Sequence, residues 1–339
     1  MKALENLFDG KPREPHLRVA VTPYCNFNCL YCKPGGEGCP ANGKLMTLEE
    51  ITKLIELASE AGFRHVKFTG GEPLLREDIA EITRNTKNIS HVKETGLVTN
   101  GSFLKDHAAS LKEAGLDRIA VSLDAASPEL FEKISRTNLF DEVLEGIAAA
   151  RSTGIPLTIN TVIMNSNRHE IKGLIDIAYK NHAQLKLIDF MNISDKDLWE
   201  KEYFPPQEIV SEFENDIVET KWRFAFAGLG SPLPAYKLKN GVEIRIKDAS
   251  VGTNYHANCA ACHLYPCQDA VISLRVTHDG KLKRCLLRND NLIDILPYIQ
   301  NNEIEKAKQH FKDLYKIFSE SKFFPNAWKP EVERRNNKR

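Results

Sequence analysis

The stretch YCNFNCLYC places Cys25, Cys29 and Cys32 within eight residues, directly after an apolar run. Thiolates are soft ligands that favour zinc, copper(I) or iron–sulfur clusters. A structural zinc site takes four ligands, usually as two separated pairs. Here the thiols form a triplet, C-x3-C-x2-C, with no fourth at the same spacing. Three thiolates on a four-iron cubane leave one iron for an outside ligand, which is useful if that ligand is to be cleaved. A second group, Cys259, Cys262, Cys267 and Cys285, straddles a hairpin signal. Taken alone, it could bind zinc outright. Cys39 falls in a Pro/Gly-rich loop beyond the triplet and is read as a bystander.

These side chains need a scaffold. The first 190 residues or so alternate short apolar runs with amphipathic ones. LRVAVT, HVKFT, ETGLVT, RIAVS, LTINTVIM and LKLIDFM read as strands, with helical patterns between them. The helix TLEEITKLIELASEAGF opens on a capping box, Thr47 and Glu50, with Ile51, Leu54, Ile55 and Ala58 on one face. Strand–helix alternation implies a parallel sheet with helices outside. Six such steps predict an open, partial (β/α)6 TIM-like barrel over residues 1–200. TGGEP, TNG, SLD and INT recur at strand ends, where ligands bind in parallel α/β folds.

After about residue 200 the texture changes. PQEIVSEFENDIVETKW reads as a helix, and two hairpins follow, turning at Asn240-Gly241 and Asp279-Gly280. The expectation is a small α+β module over 201–330 holding the second cysteine group, closed by helical segments after Asn289. Residues 331–339 read as a solvated basic tail.

Composition narrows the setting. The chain has 339 residues, of which 42% are hydrophobic, so a sizeable core is available. Lys plus Arg equals Asp plus Glu at 46 each, which argues against a nucleic-acid partner. No apolar run is long enough to span a bilayer, and the N-terminus lacks the apolar core of a signal peptide. The expected location is the cytoplasm, where eight cysteines point to metal or redox chemistry rather than disulfides.

The triplet followed by TGGEP resembles the radical S-adenosylmethionine (SAM) superfamily. The resemblance implies an enzyme whose [4Fe-4S] cluster binds SAM, cleaves it reductively to a 5′-deoxyadenosyl radical and abstracts hydrogen from a substrate. It implies that Cys25, Cys29 and Cys32 ligate the cluster, and that Tyr31 packs by the adenine. Gly70, Gly71 and Glu72 would meet the SAM amino group. Thr99, Asn100, Ser122 and Asn160 would hold its ribose or carboxylate. Met191, in IDFMN, would set backbone against the adenine, with core packing as the alternative. Asp124 is read as structural. Beside such a core, the second cysteine group becomes an auxiliary [4Fe-4S] cluster, in a twitch- or SPASM-like module.

Within the superfamily, HLRVAVTPYCNFNCLYC, FTGGEPLLREDI, EAGLDRIAVSLDAASPELFEKISR and LRVTHDGKLKRCL resemble the GTP 3′,8-cyclase of molybdenum-cofactor biosynthesis. That implies substrate-binding roles for Arg18 and Arg275, since guanidinium groups suit phosphate. The chain departs from the family at three places. A fourth thiol, Cys267, stands where the family leaves an iron open to the purine. Ser273 replaces a hairpin arginine. The C-terminus lacks the family's glycine-rich tail. The expectation is therefore a cyclase-like relative acting on a small molecule, nucleotide or peptide, with true GTP cyclase as one alternative. The other is a non-enzymatic zinc protein that binds a partner. The natural reductant would be flavodoxin or ferredoxin.

Overall fold

A computed structural model describes residues 14–32, 44–193, 195–226, 229–269 and 271–329. Cys39 and the basic tail lie outside the described residues. The six expected strands all form, as β1 (His16–Ala20), β2 (His65–Thr69), β3 (Glu94–Thr99), β4 (Arg118–Ser122), β5 (Leu157–Ile163) and β6 (Gln184–Asp189). Each pairs in parallel with the next. The helices between them are α1 (Leu48–Glu60), α2 (Ile79–Lys87), α3 (Leu104–Glu113), α4 (Pro128–Ser135), α5 (Phe140–Ser152) and α6 (Ile171–Lys180). The capping box of α1 is formed: Glu50 N–H donates to Thr47 Oγ1 (3.2 Å), and Thr47 N–H donates to the Glu50 carboxylate (2.8 Å).

The sheet curls. Arg18 on β1 and Lys186 on β6 lie at opposite ends of this run of strands, yet they are close enough for their charges to repel. One face of the sheet thus lines a lumen, and the other packs on the helices in one continuous apolar core. This is an α/β partial barrel.

The C-terminal hairpins are sewn into the same sheet. After α7 (Lys196–Glu202), β7 (Ile217–Phe226), β8 (Leu229–Leu238) and β9 (Glu243–Lys247) run antiparallel to one another, and β9 joins β6 in parallel. At the other edge β11 (Ser273–Val276) joins β1 in parallel and continues into β12 (Lys281–Lys283) and β13 (Ile293–Asp294). Both edges of the six-stranded run are covered by pairing, so the ends of the sheet are β13 and β7. β10 (Gly252–Tyr255) and β14 (Lys322–Pro325) form a separate two-stranded sheet. The helical segments expected after Asn289 are α8 (Leu296–Gln300) and α9 (Ile304–Ser319); Phe318 of α9 packs edge-on against Phe63 after α1, at 5.9 Å.

Two local expectations need correction. The single helix expected over 206–222 breaks into 3-10 turns at Pro206–Glu212 and Glu214–Asp216, and Ile217 then begins a strand. Ile209 and Phe213 do share a buried face, but antiparallel pairing with β8 outweighs helical periodicity from Ile217 onward. Helix α4 was not among the expected elements. Its signals were present: Ser127 at the N-cap, Pro128 at N1, and Phe131 and Ile134 one turn apart on a buried face. Among the described residues no helix is long and apolar enough to cross a membrane.

Candidate active site

A cavity of about 340 Å³ opens at the carboxyl ends of the barrel strands. The cysteine triplet forms its rim on the loop leaving β1. Two neighbours hold that loop. Asn28 and Leu30 donate backbone N–H groups to Ser135 O (3.2 Å) and Ile134 O (2.9 Å), at the end of α4. The Asn100 side chain donates to Asn26 Oδ1 (2.8 Å) and lies 3.9 Å from Cys25 Sγ. The TNG turn after β3 therefore fixes the first cysteine, and the unexpected helix fixes the middle of the loop.

The glycines of TGGEP serve close approach. Gly71 N–H donates to Thr22 O (2.8 Å) and Glu72 N–H to Tyr24 O (2.7 Å), so this turn is stapled to the chain just before Cys25. A Cβ on Gly71 would sit 2.1 Å from Tyr24 O, and one on Gly70 2.3 Å from Thr22 O. Gly70 also has φ +152°, which side chains rarely adopt. Glu72 is buried and accepts three hydrogen bonds, from Thr99 Oγ1 (2.6 Å), Asn100 N–H (2.7 Å) and Leu74 N–H (3.0 Å). Burial nevertheless pushes its carboxyl up to about 7.

Opposite stands a second buried acid. Asp124 accepts from the Tyr31 hydroxyl (2.5 Å) and from Val162 N–H (2.7 Å), and burial raises it to about 6. Tyr31 is thereby held with its ring edge toward Phe190, at 6.4 Å between centroids. Tyr31→Phe is expected to leave one oxygen of a buried carboxyl without its donor. The cost is about 1–3 kcal/mol of stability, read as a lowered midpoint in chemical denaturation. An unchanged midpoint would mean that the bond contributes nothing.

The cavity brings together Arg18, Cys25, Cys29, Tyr31, Cys32, Gly70, Gly71, Glu72, Thr99, Asn100, Ser122 and Met191. Asn160 is level with Ser122 and Lys186 in the sheet but is not among the lining residues; on β5 the lining residue is Val162. Arg275 lies outside the lining and pairs with Asp269 at 3.2 Å. Asp124, Val162 and Phe190 are among the lining residues to which the sequence reading gave no ligand-binding role.

The donor set fits a cationic cluster. Burial raises the Cys29 thiol, and the charges of Asp124, Cys32 and Cys25 raise it further. Irons would reverse that repulsion, since a coordinated thiol is deprotonated. The four C-terminal cysteines lie within range of one another's charge: Cys285 and Cys262 act on Cys259, and Cys285 and Cys259 act on Cys267, all on top of burial. Among the described residues, no three His, Cys, Asp or Glu groups converge as one metal ion requires. Cubane thiolates bind separate irons and need no common point.

Comparison with known proteins agrees with this geometry. The radical SAM superfamily profile matches residues 19–178. A probable GTP 3′,8-cyclase of Methanococcus aeolicus is 34% identical over 309 residues, covering 88% of this chain and 96% of that protein. One of Thermococcus kodakarensis is 36% identical over 297 residues, covering 86% and 91%. Among solved structures, Streptococcus suis SuiB bound to S-adenosylmethionine superposes with a TM-score of 0.60 at 14% identity, over 87% of this chain and 66% of SuiB. The anSMEcpe structure with AdoMet and a Kp18Cys peptide gives 0.58 at 15% identity, over 88% and 83%. At such identities the structures speak to fold.

Proposed function

This chain belongs to the radical S-adenosylmethionine superfamily, and we propose that it acts on a nucleoside triphosphate held phosphate-inward in the barrel lumen. One observation carries the reading. From Arg18 in the cavity lining, cations stand side by side in register on the lumen face: Arg275, Arg18 and Lys67 on β11, β1 and β2, then Lys186 and Arg245 on β6 and β9. Asp269 pairs with Arg275, and the carboxylates nearby are shared among several cations. Glu94 meets His65 and Arg118, and Glu243 meets Arg223 and Arg245. Burial and then neighbouring cations lower Lys186 to about 7 and hold Lys67 well below its ordinary value. A polyphosphate would relieve both effects. The relatives named as probable GTP 3′,8-cyclases support guanosine triphosphate as the first candidate.

The residues divide the work. Cys25, Cys29 and Cys32 would hold the first [4Fe-4S] cluster. When bound, that cluster and SAM supply the radical that abstracts hydrogen. Glu72, at the amino-acid end of the SAM site, would receive the ammonium group, with Thr99 and Asn100 holding its carboxylate in place. Ser122 and Asn160 would face the ribose or carboxylate, and Tyr31 and the Met191 backbone the adenine. Val98, Val162, Ile188 and Phe190 make the walls apolar, which excludes water from a reactive intermediate. Cys259, Cys262, Cys267 and Cys285 would hold a second [4Fe-4S] cluster in the 201–330 segment. Flavodoxin or ferredoxin in the cytoplasm would supply the electron.

The decisive experiment follows 5′-deoxyadenosine release under anaerobic reduction with GTP, guanosine or no addition. GTP is expected to stimulate release and guanosine to fail. Stimulation by guanosine alone would overturn the phosphate reading.

Binding should also depend on pH. A carboxyl at about 7 is largely protonated at pH 6 and must ionise to take an ammonium ion. SAM affinity is therefore expected to fall as pH drops below about 7, with up to one proton released per SAM bound. Calorimetry in buffers of different ionisation heat measures that proton. A flat affinity from pH 6 to 8 would remove Glu72 from the ammonium site.

A further inference from the structure

We infer that Cys267 is a fourth thiolate ligand of the second cluster, which is thereby closed to direct ligation by substrate. The inference rests on the two-cluster reading above. Its grounds are the contacts of three successive residues, Cys267, Gln268 and Asp269.

Cys267 is placed by its backbone. The Tyr255 hydroxyl donates to Cys267 O (2.5 Å) and accepts from Cys267 N–H (3.1 Å), and Tyr255 is buried at the end of β10. Two residues on, the Asp269 carboxylate accepts Leu286 N–H at 2.6 Å, directly after Cys285. Its other oxygen accepts from Arg275 at 3.2 Å. One carboxylate thus ties the chain just past Cys267 to the chain just past Cys285. Cys259 and Cys262 lie on a tight turn, with Cys262 N–H on Cys259 O at 2.9 Å. The side chain of Arg288, three residues past Cys285, reaches Cys262. The segments that carry the four thiols are therefore tied to one another.

Gln268 fixes the strap from the other side. Its Nε2 donates to Phe190 O (3.0 Å) and its Oε1 accepts from Asn192 N–H (3.0 Å), on either side of Met191. None of these anchors uses the thiol, which donates to the backbone carbonyl of Asp269 at 3.6 Å, a contact that a sulfur deprotonated on iron would release. A cubane has four corners, and four thiolates from one chain occupy them all. The same strap draws Arg275 onto Asp269. Recognition of substrate then falls to lumen side chains such as Arg18, Lys67 and Lys186, rather than to an iron.

The test uses the full chain with Cys25, Cys29 and Cys32 all changed to alanine, reconstituted without oxygen, so that only the second cluster contributes. The expected content is about four irons per chain. The EPR spectrum of the reduced cluster is expected to stay unchanged when GTP or cyanide is added. Adding Cys267→Ala should open one corner, so that cyanide shifts the spectrum. Cys267→Ser, which offers an oxygen ligand, should shift it without any addition. A shift with cyanide or GTP while Cys267 is present would overturn the closure, whatever the variants do. So would a spectrum indifferent to both substitutions. Zinc without iron would instead overturn the two-cluster reading on which the closure rests.

Discussion

Cys29→Ala is expected to remove the first cluster and reduce SAM cleavage to background. Cys29 occupies the middle of the triplet, and its carbonyl accepts Cys32 N–H at 3.0 Å, so it organises the turn as well as offering a thiol. Burial raises its pKa, with Asp124, Cys32 and Cys25 adding repulsion. A thiol in that position remains protonated unless a cation meets it. Two remaining thiolates do not hold a cubane built for three. Iron content should fall by about four per chain, with the second cluster retained. The loop is tied to α4 through the backbones of Asn28 and Leu30, so the fold should persist, as far-ultraviolet circular dichroism would report. Full iron retention in this variant would exclude Cys29 as a ligand.

Lys186→Met should produce two effects of opposite sign. With GTP, one charge-assisted contact is lost. Such contacts are worth about 1.5–3 kcal/mol, or about tenfold to a hundredfold in Kd. Without nucleotide, the variant should be more stable than the parent. Lys186 is lowered to about 7 by burial first and then by Lys247, Arg18 and Arg245. A base with a depressed folded pKa disfavours folding while it is charged. That deficit is full below about pH 7 and fades between about 7 and the ordinary lysine value of 10.5. Thermal melts at pH 6 and pH 9 should therefore show the larger gain at pH 6. Weaker GTP binding together with a lower melting temperature at pH 6 would mean that Lys186 supports the fold rather than the ligand.

Much of the first cluster site was legible because its signals are contiguous. The triplet, the glycine pair before Glu72 and the capping box at Thr47 all act over a few residues. The six strands were legible for the same reason, since alternation is a local pattern. Helix α4 had equally local signals, Ser127 and Pro128, but the step count allotted one helix to that connection. The strand at Ile217 was less accessible. Its periodicity fits a helix, and only its partner β8 makes the extended form the better one.

By itself, the sequence determined the strand–helix order, the thiol triplet and the turns that carry Gly70, Gly71, Glu72, Thr99 and Asn100. The tertiary structure decided what meets across the lumen. Arg18, Lys67, Lys186 and Arg245 become one basic surface only through sheet register and curl. The pairing of Asp269 with Arg275, and the reach of Gln268 to Phe190, were likewise beyond the sequence. The physical reason is range: backbone preferences and turn sterics act between neighbours, whereas charge and coordination act between groups that only the folded chain brings within a few ångströms.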